Sequence, residues 1–456
     1  MAIATVRNEG EFLKLLHETI YPAIPIRSVE HLQGRGSELE TLRRALLAPG
    51  RHAFVYGDRG VGKSSLAHTA AHMHQSSDAK PITVSGSTEN TFTSLISTIA
   101  YQALHISRLE KVSTTRSGSF AWRGLTLGKV QQTSPVDIAS QIATIGDAAG
   151  LLAEIGKLHS TAPVIVVDEF DTIASRDERN KFAALLKMMG DQEIQVKFIF
   201  TGIGQSLDDL LGSHQSSYRQ LVAVELDRLG WDARRDIAMK AAHAFGLDLD
   251  ENVAWRIAIV SDGYPYYVHL IMEKMLWEAF TADAVVHELG ADHYLAGLTV
   301  ATTEIAPELK RPYKKAVLSR PRDLELVVWS TADGDDQQNN IKYFYGSYQV
   351  ICSKLSIAAD LTQAKFADRL RQLREDSYGG ILTNYDGRPG WYTYTDKMLR
   401  GYVRMQAEAN RIELSGERPA PRQTAHVPTN ARSGVRGPTV PFGIRFQRER
   451  NESEQD

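Results

Sequence analysis

The sequence predicts an α/β protein: an open five-stranded parallel sheet, a helical lid after it, then a winged-helix segment and a disordered tail. Three observations carry that reading. Short apolar runs alternate with amphipathic helical stretches over residues 30–230, the order that builds a parallel sheet covered on both faces. From Trp231 the pattern turns wholly helical. Beyond Ala409 the chain becomes rich in Pro, Arg, Gly, Thr and Ser and poor in apolar residues, a composition that cannot bury a core.

The elements follow in order. Residues 1–29 form an N-terminal segment. In GRGSELETLRRALLAP, Leu39, Leu42, Leu46 and Leu47 recur at helical spacing until Pro49-Gly50 stop the run. HAFVY reads as the first strand and SSLAHTAAHMH as the helix after it. PITVSG, APVIVVDEF, QVKFIFTGIG and LVAVELDRL supply the other four strands, with TSLISTIAYQAL and KFAALLKMMGD as helices between them. VIVV and FIF are apolar without alternation, as suits strands buried on both sides. WDARRDIAMKAAHAFG, ENVAWRIAIVSDG and YPYYVHLIMEKMLWEAF make a lid over 231–305. In 306–406 come LELVVWSTA, YGSYQVICSKL and LTQAKFADRLRQLRED, then GGILTNY and GWYTYTD around Asp386-Gly387, three helices and a hairpin in winged-helix order. Residues 407–456 read as the tail.

With 456 residues, 43% of them apolar, the chain is long enough for two or three cores. The formal net charge of -3 excludes a uniformly basic nucleic-acid coat and leaves room for a local basic face. The lone Cys352 excludes an internal disulfide and a Cys-rich zinc site, and reads as a buried small apolar residue. The opening MAIATVRNEGEFLKLLHETIYPAIP lacks the apolar core of a signal peptide, and no run has the length of a membrane span. A cytoplasmic protein without a membrane is the expectation.

The chemistry is concentrated in FVYGDRGVGKSSLAHTA. Gly57, Asp58, Arg59, Gly60, Val61, Gly62, Lys63 and Ser64 fill G-x-x-x-x-G-K-S between a strand and a helix, with Ser65 next. Backbone N–H groups of such a loop wrap phosphates and the helix N-terminus adds its dipole. Lys63 is expected to reach the β/γ-phosphates of ATP and Ser64 to ligate Mg2+. In Val164-Ile165-Val166-Val167-Asp168-Glu169 a strand delivers two acids to its C-terminal end, where open parallel sheets bind ligands. Asp168 is the second expected Mg2+ partner and Glu169 the residue that polarises the attacking water.

On these motifs residues 30–285 resemble the AAA+ and STAND group of P-loop ATPases, close to the origin-recognition initiator type. The resemblance implies ATP hydrolysis and a homo-oligomer in the ATP state. Gly34, Arg35 and Glu38 resemble the entry segment beside adenine. Thr201 resembles a sensor of the γ-phosphate, with a plain strand-ending threonine as the alternative. Arg219 stands where related ATPases present an arginine finger to a neighbour, and Arg228 is its rival. In place of a sensor Arg the lid carries Asp262-Gly263-Tyr264-Pro265, which resembles the Gly-x-Pro turn of STAND switches, with Pro265 against the nucleotide and His269 either a further contact or lid core.

Partners divide into two readings. Duplex DNA fits a basic helix in which Leu361, Phe366, Leu370 and Leu373 face inward and Gln363, Lys365, Arg369, Arg371 and Arg374 outward, capped by Thr362, with Arg388 in the wing. Arg108, Lys111, Arg116, Arg123 and Lys129, beside Phe120 and Trp122, and the arginines from Arg418 to Arg448 add local positive charge. A protein partner fits the same module used as a signalling or defence switch. A metabolic kinase accounts for neither the two acids nor the lid.

Overall fold

The computed structural model describes residues 2–22, 24–75, 80–110, 121–122, 125–126, 134–157, 162–204, 207 and 219–415. Side chains of 105–110, 121–122 and 125–126 are outside that description, as are the basic insertion at 111–120 and the arginines from Arg418 onward.

The strands are β1 (His52–Gly57), β2 (Ile82–Ser85), β3 (Ala121–Trp122), β4 (Leu125–Thr126), β5 (Val164–Asp168), β6 (Lys197–Gly202), β7 (Leu221–Leu226), β8 (Asp248–Leu249), β9 (Glu288–Leu289), β10 (Gln338–Asn340), β11 (Leu382–Asn384) and β12 (Trp391–Tyr394). Those of the main sheet are ordered β2-β5-β6-β1-β7 and every pair is parallel. The helices up to the last strand of that sheet are α1 (Glu9–Thr19), α2 (Gly36–Leu47), α3 (Lys63–His74), α4 (Phe92–Glu110), α5 (Pro135–Ala139), α6 (Ile145–Lys157) and α7 (Arg176–Asp191). Because successive side chains of a strand face opposite ways, Ala53, Val55, Val164, Val166 and Ile199 join one apolar cluster while Phe54, Ile165, Val167, Phe198 and Phe200 join another. The near-continuous apolar runs are explained by this two-sided burial. Leu39, Leu42 and Leu46 of α2 are buried, whereas Leu47, in the last turn, is 60% exposed and takes no part in the core.

The lid consists of α8 (Trp231–Ala244), α9 (Glu251–Val260), α10 (Pro265–Thr281) and α11 (Ala291–Glu304). The N-terminal segment packs onto it: Phe12 stacks on Phe280 at 4.3 Å and meets Phe245 at 5.4 Å. After the lid come α12 (Pro307–Val317), α13 (Arg322–Thr331), α14 (Ile341–Lys354), α15 (Gln363–Gln372) and α16 (Lys397–Ala409). With them lies an antiparallel sheet ordered β10-β12-β11. Cys352 is buried in α14. The chain stays ordered past residue 406, since α16 runs to Ala409 and Ile412 and Leu414 are buried. Residues 1–416 form one compact unit, and the cluster on one face of the main sheet continues through the lid into α16. Among the described residues no helix is long and apolar enough to cross a membrane.

One carboxylate ties these layers together. Asp262, fully buried in the turn before α10, pairs with Arg228 at 2.9 Å, with Arg400 and with Arg404 at 3.5 Å. The surplus positive charge is spread over carbonyls: Arg404 donates to Gly334 O and Ser415 O, both at 2.7 Å, and Arg400 also donates to Gly334 O. Burial, and next to it Arg400, lowers the Arg404 pKa to about 10, so the guanidinium stays charged at neutral pH. Removing the acid leaves buried cations unpaired, a change that costs about 3–5 kcal/mol. Asp262→Ala is therefore expected to lower the thermal midpoint sharply, read by circular dichroism; a wild-type midpoint would show that the carbonyls alone hold the arginines.

A second expectation concerns acid. His52 in β1 is held neutral: its Nδ1 accepts from Phe198 N at 3.1 Å and burial, with Lys197 beside it, pushes its pKa down to about 3. The folded pKa lies below the unfolded value of about 6.5. The unfolded chain then binds the extra proton, so stability is full above pH 6.5 and is lost as pH falls towards 3. The thermal midpoint should drop between pH 7 and pH 5, and less steeply in His52→Asn.

Candidate nucleotide site

The cavity opens at the C-terminal ends of β1 and β5 and measures about 510 Å³, within the range of small-molecule sites. β1 ends on Gly57, where φ is +149° and a Cβ would lie 2.3 Å from Leu226 O, so the chain can turn there only without a side chain. The loop then runs to Gly62, the left-handed N-cap of α3. Arg59, Gly60, Val61, Gly62, Lys63, Ser64 and Ser65 line the cavity. Gly57 and Asp58 take part through their carbonyls, which accept from Lys63 Nζ at 3.0 and 2.9 Å. Burial lowers the Lys63 pKa and the acids Asp171, Asp58, Asp168 and Glu169 oppose that shift. A lysine with three donors that rests on two neutral carbonyls is ready to exchange them for phosphate oxygens.

The acids converge on Ser64. Asp168 Oδ1 accepts from Ser64 Oγ at 2.8 Å, from Glu169 N at 3.2 Å and from the Thr201 hydroxyl. Oδ2 has no donor among the described residues and is free to face a cation's water shell. A hydroxyl and a carboxylate in contact are a hard-oxygen donor pair of the kind Mg2+ takes beside phosphates, and Ser64 and Asp168 fit that ion. Glu169 sits in the left-handed region, φ +52°, with its side chain exposed. Its N–H also donates to Thr201 Oγ1 at 3.0 Å, and its carbonyl accepts from Thr172 Oγ1 at 2.7 Å. Thr201, buried to 1%, lines the cavity but its hydroxyl serves Asp168 and Glu169. Its position makes it a brace for the acids.

Other expected residues have different places. Arg35 lines the cavity yet donates to Val61 O at 2.9 Å and Asp227 O at 2.6 Å, fastening the loop to the end of β7, with Glu38 at 3.4 Å. Ser65 Oγ accepts from Ile26 N at 3.1 Å and so anchors the N-terminal segment. Pro265 opens α10 and lines the cavity. His269 is buried, with burial pushing its pKa down to about 4, and its Nδ1 accepts from Tyr21 N at 3.4 Å while the ring also borders the cavity. Arg219 is exposed before β7 and is not among the lining residues. Arg228, the other candidate finger, is bound to Asp262 at 2.9 Å. Arg369 is a correction as well: it is half-buried and paired with Asp323 at 2.8 Å, whereas Gln363, Lys365, Arg371 and Arg374 are exposed. Sequence reasoning did not single out Tyr21, His31, Asp171 and Thr172, which also line the cavity. Asp171, two residues after Glu169, was within reach of the motif; Tyr21 and His31 carry no signal of their own.

Residues 31–199 match the family model of the AAA ATPase domain. No curated protein matches the chain. Among solved structures it is similar to the Walker-type ATPase PABY2304 of Pyrococcus abyssi, at 17% identity and a TM-score of 0.45, over 84% of this chain and 98% of that one. It is similar to the Aeropyrum pernix ORC1 protein, solved in complex with DNA, at 17% identity and a TM-score of 0.40, over 83% and 93%. The Thermotoga maritima RuvB Holliday junction branch migration motor follows at 16% identity and a TM-score of 0.40, over 85% and 98%. The phosphate loop and the pair Asp168-Glu169 both lie within the stretch that matches the AAA ATPase domain model.

Proposed function

We propose that the protein binds ATP with Mg2+ and hydrolyses it, and that the cycle governs assembly or movement of residues 306–415, read as a winged helix acting on duplex DNA. The observation that carries the reading is the meeting of Lys63, the Ser64 to Asp168 hydrogen bond and exposed Glu169 at one cavity. Loop N–H groups and Lys63 hold the phosphates at the N-terminus of α3. Ser64 and Asp168 hold the cation, whose chemistry is to neutralise charge on the phosphate oxygens. Glu169 takes the proton of the water that attacks the γ-phosphorus as the bond to the ADP oxygen breaks. Exposed Arg219 is the candidate finger for a neighbouring copy.

The DNA arm rests on Gln363, Lys365 and Arg371 on the exposed face of α15, where Arg371 also pairs with Asp368, on Arg374 just beyond it, and on Arg388 exposed in the hairpin. Such contacts to phosphates weaken steeply as salt rises. The second reading, a STAND-like switch that recognises a protein, is favoured by Pro265, whose turn is wired through Asp262 to α16.

Lys63→Ala is expected to weaken ATP binding about 10- to 100-fold, the value of a charge-assisted contact, and binding at wild-type affinity would end the assignment. Glu169→Gln should bind ATP and turn it over about 10²- to 10⁴-fold more slowly. Steady-state turnover across a protein concentration series, with and without duplex DNA, separates the two readings. Turnover that rises with both supports the DNA arm, and slow turnover indifferent to DNA supports the protein-sensing switch. Mixing Arg219→Ala with Glu169→Gln protein should restore part of the activity if the finger acts in trans.

A further inference from the structure

We propose that Lys397, from the C-terminal helix, completes the phosphate site as a positioning residue that neutralises Asp58. This inference rests on the nucleotide reading above. Asp58 is an electrostatic oddity: a carboxylate in the loop that receives phosphates, one residue from Gly57 and bonded through its carbonyl to Lys63. Uncompensated, it repels a triphosphate more than a diphosphate, since the interaction scales with charge. Lys397 Nζ lies 2.9 and 2.8 Å from its two oxygens, astride the carboxylate.

The neighbouring contacts keep that geometry. Asp396 approaches Arg59 at 4.0 Å, and Met398 packs so closely on Gly60 that a Cβ there would lie 2.4 Å from its Sδ. Three consecutive loop residues thus meet three consecutive residues at the start of α16. That helix start is fixed in turn by Asp396, which caps Met398 N at 2.9 Å, and by Tyr267, whose hydroxyl donates to Met398 O at 2.6 Å. Lys397 and Asp58 are each about two-fifths exposed. A pair this open adds little to folding; Asp58 reaches the site through its carbonyl, which accepts from Lys63 Nζ at 2.9 Å.

The test is calorimetric titration of the full chain with ATP and with ADP in Mg2+. Lys397→Met, which keeps the apolar stem, should weaken ATP by about three- to tenfold and ADP by less. Lys397→Arg should restore the wild-type value. In an Asp58→Asn background Lys397→Met should cost nothing further, because no carboxylate is left to neutralise. The proposal is overturned if Lys397→Met binds both nucleotides as wild type does, or if its loss persists unchanged in the Asp58→Asn background. A wild-type chain that binds neither nucleotide would overturn the nucleotide reading and this proposal with it. Equal thermal midpoints for Lys397→Met and Lys397→Arg separate a charge effect from unfolding.

Discussion

The buried carboxylate of Asp262 joins the end of the main sheet, the lid turn and the C-terminal helix. Three guanidinium groups from two distant stretches of sequence reach it: Arg228 after β7, and Arg400 and Arg404 from α16. The lid turn carrying Pro265 and the helix carrying Lys397 are therefore positioned by one buried charge. Such a cluster is costly to assemble, because each ion loses its water, and costly to break once assembled. It makes a precise junction rather than a strong one.

The phosphate site is arranged on the same principle, with one oxygen fixing several groups. Asp168 Oδ1 accepts from Ser64, Thr201 and the Glu169 N–H. A left-handed backbone at Glu169 is unfavourable for a residue with a Cβ. Here the bonds at its N–H and its carbonyl over-determine it, and the result is an acid aimed into solvent at the mouth of the cavity while its neighbour faces Ser64. Two adjacent acids thus acquire different surroundings from a single turn of backbone.

The sheet was legible because its central strands β1, β5 and β6 are apolar on both faces and its strands are separated by amphipathic helices, the pattern of a covered parallel sheet, while the edge strands β2 and β7 are buried on one face. The meeting of Ser64 with Asp168 was legible for the same reason, since the helix that follows β1 and the last residue of β5 lie at the same end of a parallel sheet. Leu47 fits the helical period yet lies outside the core, because period fixes a face and not how far along the helix the partner layer extends. Arg369 also has outward spacing, but Asp323 of α13 draws it in. The contacts of Arg228 and of Asp58 were beyond reach on principle. Each pairs with a residue far along the chain, and nothing local marks an arginine or an aspartate as spoken for.

Coupling between the loop and the C-terminal helix has to be mutual. Whatever factor Lys397 contributes to nucleotide affinity is the factor by which bound nucleotide favours the seated helix, since linkage of two equilibria is symmetric. α16 also packs against the lid through Gly401, where a Cβ would lie 2.4 Å from the Tyr267 ring, and through Glu408, which pairs with Arg256 of α9. The helix that carries Lys397 is therefore packed on the lid as well. The triphosphate, having more charge than the diphosphate, gains more from a neutralised Asp58. On the proposed reading, the contact between α16 and the phosphate loop is therefore favoured more by ATP than by ADP.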